Sequence, residues 1–400
     1  MKYFIFIIAL CMPAYLVRFQ VSGIPSSLLE IVIYLALIYG LINLKKAQTN
    51  QNLAKLYLPV GLFLLAATIS VYISPLKTQA LGQLKAFFID PIIVFWLATA
   101  YLKREDVVWL VVGLSGSSLV VAMHTFWQKF SGQVTIDNRV VGIFGYSPNY
   151  IALFLGPIAV LLFSYGIELL NKKKTLASFS LIFISLLNFL AIYLSGSRAG
   201  LLVVIAGLVI YLLLKFRFFF QKNSVALILL IGVIVTSISL SWFAFRPNFN
   251  LSPDLGGRIT SSNNIRWQIW ETSWELISGQ PIFGVGLANF QNAFSSLTKE
   301  RVNFPEYISP WALTPHNLFL TLWSTVGILG LISFCWLTIS LYNFGIKKIS
   351  LGLSLVLIAT LSTLILQGLV DTPYFKNDLS IFFWLVAAFV VLLNKEENLG

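Results

Sequence analysis

Apolar runs close to twenty residues long recur along this 400-residue chain from one end to the other, and nothing else constrains its fold as strongly. A bilayer's hydrocarbon core is about 30 Å thick, so a helix needs about 20 mostly apolar residues to cross it. The composition agrees. Hydrophobic residues make up 58% and charged residues 10% of the chain, and mean hydropathy is +0.85. A soluble chain of this size needs far more charge to cover its surface. The expected fold is all-α: a polytopic integral membrane protein with residues 1–400 forming a single membrane domain.

Twelve spans are expected, at roughly 3–20, 28–43, 56–73, 86–102, 107–127, 148–166, 175–194, 199–214, 225–244, 316–342, 350–370 and 378–393. Residues 1–20 resemble a signal peptide but lack a clear small-residue cleavage site, so they read as the first span. Between spans nine and ten lies one large loop, 245–315. Lys and Arg in the short loops set the orientation, because cytoplasmic loops carry the excess. With the N-terminus inside, fifteen such residues fall on the inner side, including Lys45, Lys46 and Lys172–Lys174; seven fall outside. Both termini are therefore expected in the cytoplasm and the large loop outside. The net charge of +12 follows this topology and does not call for nucleic acid. Cys11 and Cys335 lie inside apolar runs and read as small hydrophobes rather than a disulfide. Gly284-Val285-Gly286 has no preceding strand and reads as a turn, not a phosphate cradle.

Within the loop, residues 245–256 are rich in Pro, Asn, Gly and Ser and should be irregular. Trp267, Trp270, Trp274 and Ile277 then recur at helical spacing, with Gly279 and Pro281 ending the helix. A Trp-rich amphipathic helix tends to lie in the membrane interface. Its tryptophans, Trp270 among them, either anchor it there or stack on sugar. Arg266 projects from it at headgroup depth.

The chain has two histidines. His316 stands where the polar loop meets an apolar run. Thr314 is expected to cap that helix, with Pro315 at its first position and His316 in its first turn. The positive end of a helix disfavours imidazolium, so the neutral form a general base needs should dominate at pH 7. On position alone the same histidine serves equally as a helix cap or a headgroup ligand. Ser197 is expected to cap the helix that begins at Arg198, which places a bidentate phosphate-binding side chain at an anion-favouring terminus. Arg139 and Arg258 also fall outside, as solvated loop charges or further anion ligands. His124 is expected to make a structural hydrogen bond. Asp90 and Asp371 are membrane-depth carboxylates, functional candidates by default, with only Lys85 in sight as a partner. Two histidines without a spaced acidic or cysteine cluster argue against a metal site.

These residues carry a resemblance to the O-antigen ligase and polymerase superfamily, bacterial membrane glycosyltransferases that use polyprenyl-pyrophosphate-linked glycans. The ligase signature is His, then Asn, Ser or Gln, nine residues, Gly, two residues, and Gly, Thr or Tyr; here it reads His316-Asn317, nine residues, Gly327-Ile328-Leu329-Gly330. A second signature, Arg, three residues, then Gly or Leu, is met by Arg198 through Leu202. The segment from Arg266 to Phe290 is similar to the family's outer-loop segment. The resemblance covers residues 190–335 and implies a bacterial inner-membrane enzyme. It implies His316, Arg198 and Arg266 in catalysis, and Arg258, Arg139, Asn317 and Trp270 at the substrate.

The implied donor is a glycan on undecaprenyl pyrophosphate, the acceptor a lipid or glycan hydroxyl, and transfer is inverting with no metal or cofactor. A ligase, a repeat-unit polymerase and a protein O-oligosaccharyltransferase share these elements. The reading from another class is a transporter. Transporters place ionisable groups near the midplane, whereas the groups here map to the outer boundary.

Overall fold

The computed structural model describes residues 1–21, 24–48, 50–135, 138–145, 147–217, 262–299 and 312–395. Among them the chain is almost wholly helical. Seven helical segments are long and apolar enough to cross a membrane. They are Gln51–Ile73, Lys77–Tyr101, Arg104–Phe130, Pro148–Asn171, Thr175–Leu194, Arg198–Lys215 and Leu318–Lys347, and each coincides with one expected span. Three shorter apolar helices, Leu28–Ile42, Gly352–Gln367 and Asn377–Leu392, coincide with three more. The ninth expected span, 225–244, lies outside the described residues, as do 245–261 and 300–311 of the large loop.

The first expected span is a correction. Helix α1 covers only Lys2–Leu10, and a 3-10 helix follows at Met12–Leu16. Pro13 has no N–H and its ring clashes with the carbonyl four residues back, so the α-helix cannot run on. The chain leaves through an antiparallel hairpin, β1 (Arg18–Val21) against β2 (Ile24–Ser27). Ser27 and Glu30 then form a capping box on α2 (Leu28–Ile42): Ser27 Oγ accepts from the Glu30 N–H, and Glu30 Oε2 from the Ser27 N–H.

Helices α3 (Ala54–Ile73), α4 (Lys77–Leu84), α5 (Asp90–Tyr101), α6 (Val107–Phe130), α7 (Pro148–Asn171), α8 (Thr175–Leu194) and α9 (Arg198–Lys215) follow. α10 (Ser262–Gly279) and α11 (Phe290–Thr298) lie in the large loop, before α12 (Leu318–Lys347), α13 (Gly352–Gln367) and α14 (Asn377–Leu392). From Asp378 to Leu392 every residue of α14 is buried, as expected for a helix apolar all round. It packs on α5, while α13 packs on α7 and α9, and α12 runs antiparallel to α3. The N-termini of α7, α9, α12 and α14 share one end of the bundle with the C-termini of α8 and α13. At the other end Asn52 Nδ2 donates to the Asn394 carbonyl and Asn394 Nδ2 to the Phe344 carbonyl.

α12 is broken at Gly327, where φ is 83° and ψ 178°. The segment 281–287 fills the break. In an unbroken helix the Ile328 N–H would bond the Ser324 carbonyl. Here the Ser324 carbonyl accepts from the Val285 N–H at 2.7 Å, and the Ile328 N–H donates to the Ile282 carbonyl at 3.2 Å. The loop thus takes over both halves of one helical hydrogen bond, roughly 14 Å along the helix at 1.5 Å per residue. Ser70 of α3 closes the junction: its Oγ donates to the Thr325 carbonyl and accepts from the Leu287 N–H. Gly284 and Gly286 have φ of 69° and 94°, so Gly284-Val285-Gly286 is the expected turn. A Cβ on Gly284 would lie 2.6 Å from the Ser324 carbonyl oxygen, and one on Gly286 2.6 Å from Ser74 Cα. The gap admits backbone and little else.

The expectations for Asp90 and His124 change. Asp90 Oδ1 accepts from the Tyr34 hydroxyl at 2.8 Å, while Lys85 pairs with Glu30 at 2.6 Å. Asp90's partner is therefore a tyrosine on α2, which only the packing of α2 on α5 supplies. His124 does not show the expected hydrogen bond at Nδ1, which has no partner among the described residues; its ring lies 5.4 Å from Trp127 instead. Cys11 and Cys335 are free thiols, as read.

Candidate functional site

His316 lies just before α12, not in its first turn. The cap is Asn317, whose Oδ1 accepts from the Phe319 and Leu320 N–H groups at 3.0 and 3.1 Å. Asn is the better cap because its short amide reaches the exposed donors directly. Thr314 is displaced from that role and its Oγ1 instead meets the His316 N–H at 3.5 Å. Asn317 Nδ2 donates to the Leu369 carbonyl, and the Leu318 N–H to the Gly368 carbonyl, so the start of α12 is bonded to the turn after α13. Asn317 was expected at the substrate; its side chain bonds backbone groups of Phe319, Leu320 and Leu369.

His316 has φ of 50°, a left-handed conformation. A residue other than Gly held there is uncommon and costs energy, and such positions cluster at functional sites. The turn is held from outside as well. Trp270 Nε1 donates to the Pro315 carbonyl at 2.9 Å. Trp270 therefore fixes the residue before His316, while Trp267 and Trp274 are exposed. The buried face of α10 is Ile269, Thr272, Ser273, Leu276 and Ile277 rather than the tryptophans. Arg266 sits one helical turn before Trp270, on the same face.

The imidazole meets Asp371, with Nδ1 3.4 Å from Oδ1. The histidine side chain is 39% exposed and the carboxylate 12%, so one ring edge is held while the ring stays open to solvent. Burial alone would raise the Asp371 pKa. The hydrogen bond and charge of His316, the Thr372 N–H and the charge of Lys376 outweigh it and hold the carboxyl below its usual range. An ionised carboxylate at Nδ1 favours the tautomer with the proton there, which leaves Nε2 as the lone-pair nitrogen. The loop carrying Asp371 is anchored by Tyr374, which packs on Phe63, Phe334 and Phe383 and accepts from Trp384 Nε1 at 2.9 Å.

The amide of an Asp371→Asn variant would fit either tautomer of the ring, unlike the carboxylate of Asp371. The carboxylate's folded pKa is depressed, so its stabilising contribution is complete above about pH 4 and is lost as pH falls through the lower folded value. The parent should lose thermal stability over that acid interval, and the variant should lack this component in a pH series of melting curves.

Arg198 opens α9. Ser197 caps the helix as expected, its Oγ accepting from the Gly200 N–H. The Arg198 side chain is exposed, and neither it nor Arg266 has a side-chain hydrogen bond or ion pair among the described residues. Arg139 differs. Its Nε donates to the Ser195 carbonyl at 3.0 Å and its Nη2 to Asn149 Oδ1 at 2.9 Å, and it packs across Gly196. It clamps the turn that presents Arg198. Next to Asn149, the Tyr150 ring lies 5.1 Å under Lys376 Nζ, on the same loop as Asp371. A chain of contacts thus runs from the Arg198 turn through Arg139, the start of α7 and Lys376 to Asp371 and His316. Arg198 itself makes no bond to His316. Arg258 lies outside the described residues.

Asp371 was noticed in the sequence but had no partner there. The available signal was topological: it follows the eleventh span at the end where the tenth begins. Lys376 and Asn149 gave no signal.

The fold and this end of the bundle define a polytopic helical membrane protein with a histidine–carboxylate pair and, at the start of α9, an arginine without an ion-pair partner among the described residues. Residues 181–335 match the family model described as O-antigen ligase, and that segment is similar to this family. The match contains Arg198, Arg266, His316 and the Gly327 break; Arg139 and Asp371 lie outside it. No curated protein matches the chain.

Proposed function

We propose that the protein is a membrane glycosyltransferase that moves a glycan from undecaprenyl pyrophosphate to an acceptor hydroxyl on the extracytoplasmic side of the bacterial inner membrane, in the manner of an O-antigen ligase. The observation that carries this is the pairing of Asp371 with His316 Nδ1 in a turn that precedes, rather than belongs to, a helix. That arrangement turns Nε2 into a proton acceptor, and the family match supplies the reaction class.

Arg198 and Arg266 hold the pyrophosphate. Arg139 acts on Arg198 through the Ser195 turn. The acceptor oxygen attacks the anomeric carbon while His316 Nε2 takes its proton. The bond from that carbon to the phosphate oxygen breaks, and the electron pair leaves with the pyrophosphate. Negative charge grows there, which is where fixed cations contribute most. Asp371 stabilises the imidazolium that forms. One displacement inverts the anomeric centre. If the acceptor is another lipid-linked repeat, the same steps describe a polymerase.

The test is purified protein incubated with a lipid-linked oligosaccharide and candidate acceptors. Glycosylated acceptor supports the ligase and lengthened glycan the polymerase; a product of retained configuration overturns the single displacement. Arg198→Lys is expected to lower kcat/KM by about 10- to 100-fold, because a point ammonium cannot reproduce a two-oxygen grip. Parent-like turnover in that variant removes the pyrophosphate role.

A further inference from the structure

At the end of the bundle away from His316, a groove of about 460 Å³ opens between residues 47, 48, 50 and 51, α3 and α5. Its volume falls in the roughly 300–1,000 Å³ range of small-molecule sites. Leu56, Val60, Ile92, Phe95 and Trp96 form its apolar wall. Asn50 lines it too, at 7% exposure. Asn50 Oδ1 is occupied by the Asn52 N–H, and its Nδ2 is buried without a partner among the described residues. Around these residues stand three exposed lysines: Lys45 and Lys46 just before Ala47, and Lys55 at the start of α3. None has an ion-pair partner among the described residues.

We propose that this groove binds one anionic glycerophospholipid from the surrounding leaflet. An acyl chain lies along the apolar wall. The headgroup charge meets Lys45, Lys46 and Lys55. The occupant is a membrane lipid because the wall belongs to two helices of the membrane bundle, α3 and α5, and the lysines lie near the depth at which those helices end. Anionic headgroups are what basic clusters at a span's end attract. The glycan-transfer reading plays no part in this, since no residue of the groove belongs to the His316 end.

The experiment uses the full chain in mild detergent, partly delipidated, titrated with phosphatidylglycerol or phosphatidylcholine and read by native mass spectrometry. The parent should retain one phosphatidylglycerol and prefer it over phosphatidylcholine by about tenfold or more. Val60→Trp should fill the groove and abolish the retained lipid. The exposed triple variant Lys45→Gln, Lys46→Gln, Lys55→Gln leaves the wall intact and should lose most of the headgroup preference while still binding lipid. Equal binding of the two lipids by the parent overturns the proposal. So does an unchanged preference in the triple variant, or retained lipid in a folded Val60→Trp protein.

Discussion

His316→Asn is expected to lower glycan transfer by about a hundred- to ten-thousand-fold, the range that a positioned general base contributes. The choice of Asn matters. His316 holds φ of 50°, where Asn is among the better-tolerated residues and Ala adds roughly 1–2 kcal/mol of backbone strain. His316→Ala should also be inactive, but a modest loss of stability will accompany it. In the Asn variant the Trp270 bond to the Pro315 carbonyl and the Asn317 cap remain in place, since neither uses the imidazole. Melting behaviour should therefore stay close to the parent while turnover collapses. The measurement is turnover with a saturating lipid-linked oligosaccharide, alongside thermal unfolding. Transfer at near-parent rate by a well-folded His316→Asn protein would remove the proton-acceptor role and, with it, the meaning assigned to Asp371.

Gly327→Ala is expected to damage the protein as severely by another route. The position has φ of 83° and ψ of 178°, a region open in practice to Gly alone and costing of order 1–3 kcal/mol for another residue. A Cβ there would also overlap the Ile282 carbonyl oxygen and the Phe283 backbone. Relief requires the 281–287 segment to withdraw, which breaks the Val285–Ser324 and Ile328–Ile282 bonds. At membrane depth no water replaces them. The segment is continuous with α10, so the same withdrawal shifts Trp270 and Arg266 away from the His316 turn. A lower melting temperature and loss of transfer should appear together. Gly279→Ala is the control: a Cβ there meets nothing within 4 Å, and stability should change by less than about 0.5 kcal/mol. If Gly327→Ala melts and turns over like the parent, the break is not what holds the loop.

The signature glycines show how sequence and structure divide the explanation. His316 and Gly327 stand in one recurring pattern, which suggests a shared chemical task. Their tasks differ. His316 presents a ring edge, whereas Gly327 removes a side chain so that a second strand of backbone can enter the helix. Arg139 is a similar case. Its charge and its side of the membrane made it an anion ligand on paper, but its Nε and one terminal nitrogen hold Ser195 and Asn149. The first apolar run misled for a local reason: hydropathy sums over a window and does not register that Pro13 ends a helix inside it.

Signals local to each segment were enough to read a helical membrane bundle from hydrophobic length, the Ser197 cap from residue type, and Arg198, Arg266 and His316 as candidates from position and motif spacing. Pairings between segments needed the third dimension. Asp371 lies 55 positions from His316 and Ser70 lies 255 from Thr325. Such contacts depend on which helices pack side by side, and a lipid-facing pattern says where a helix ends but not which neighbour it meets.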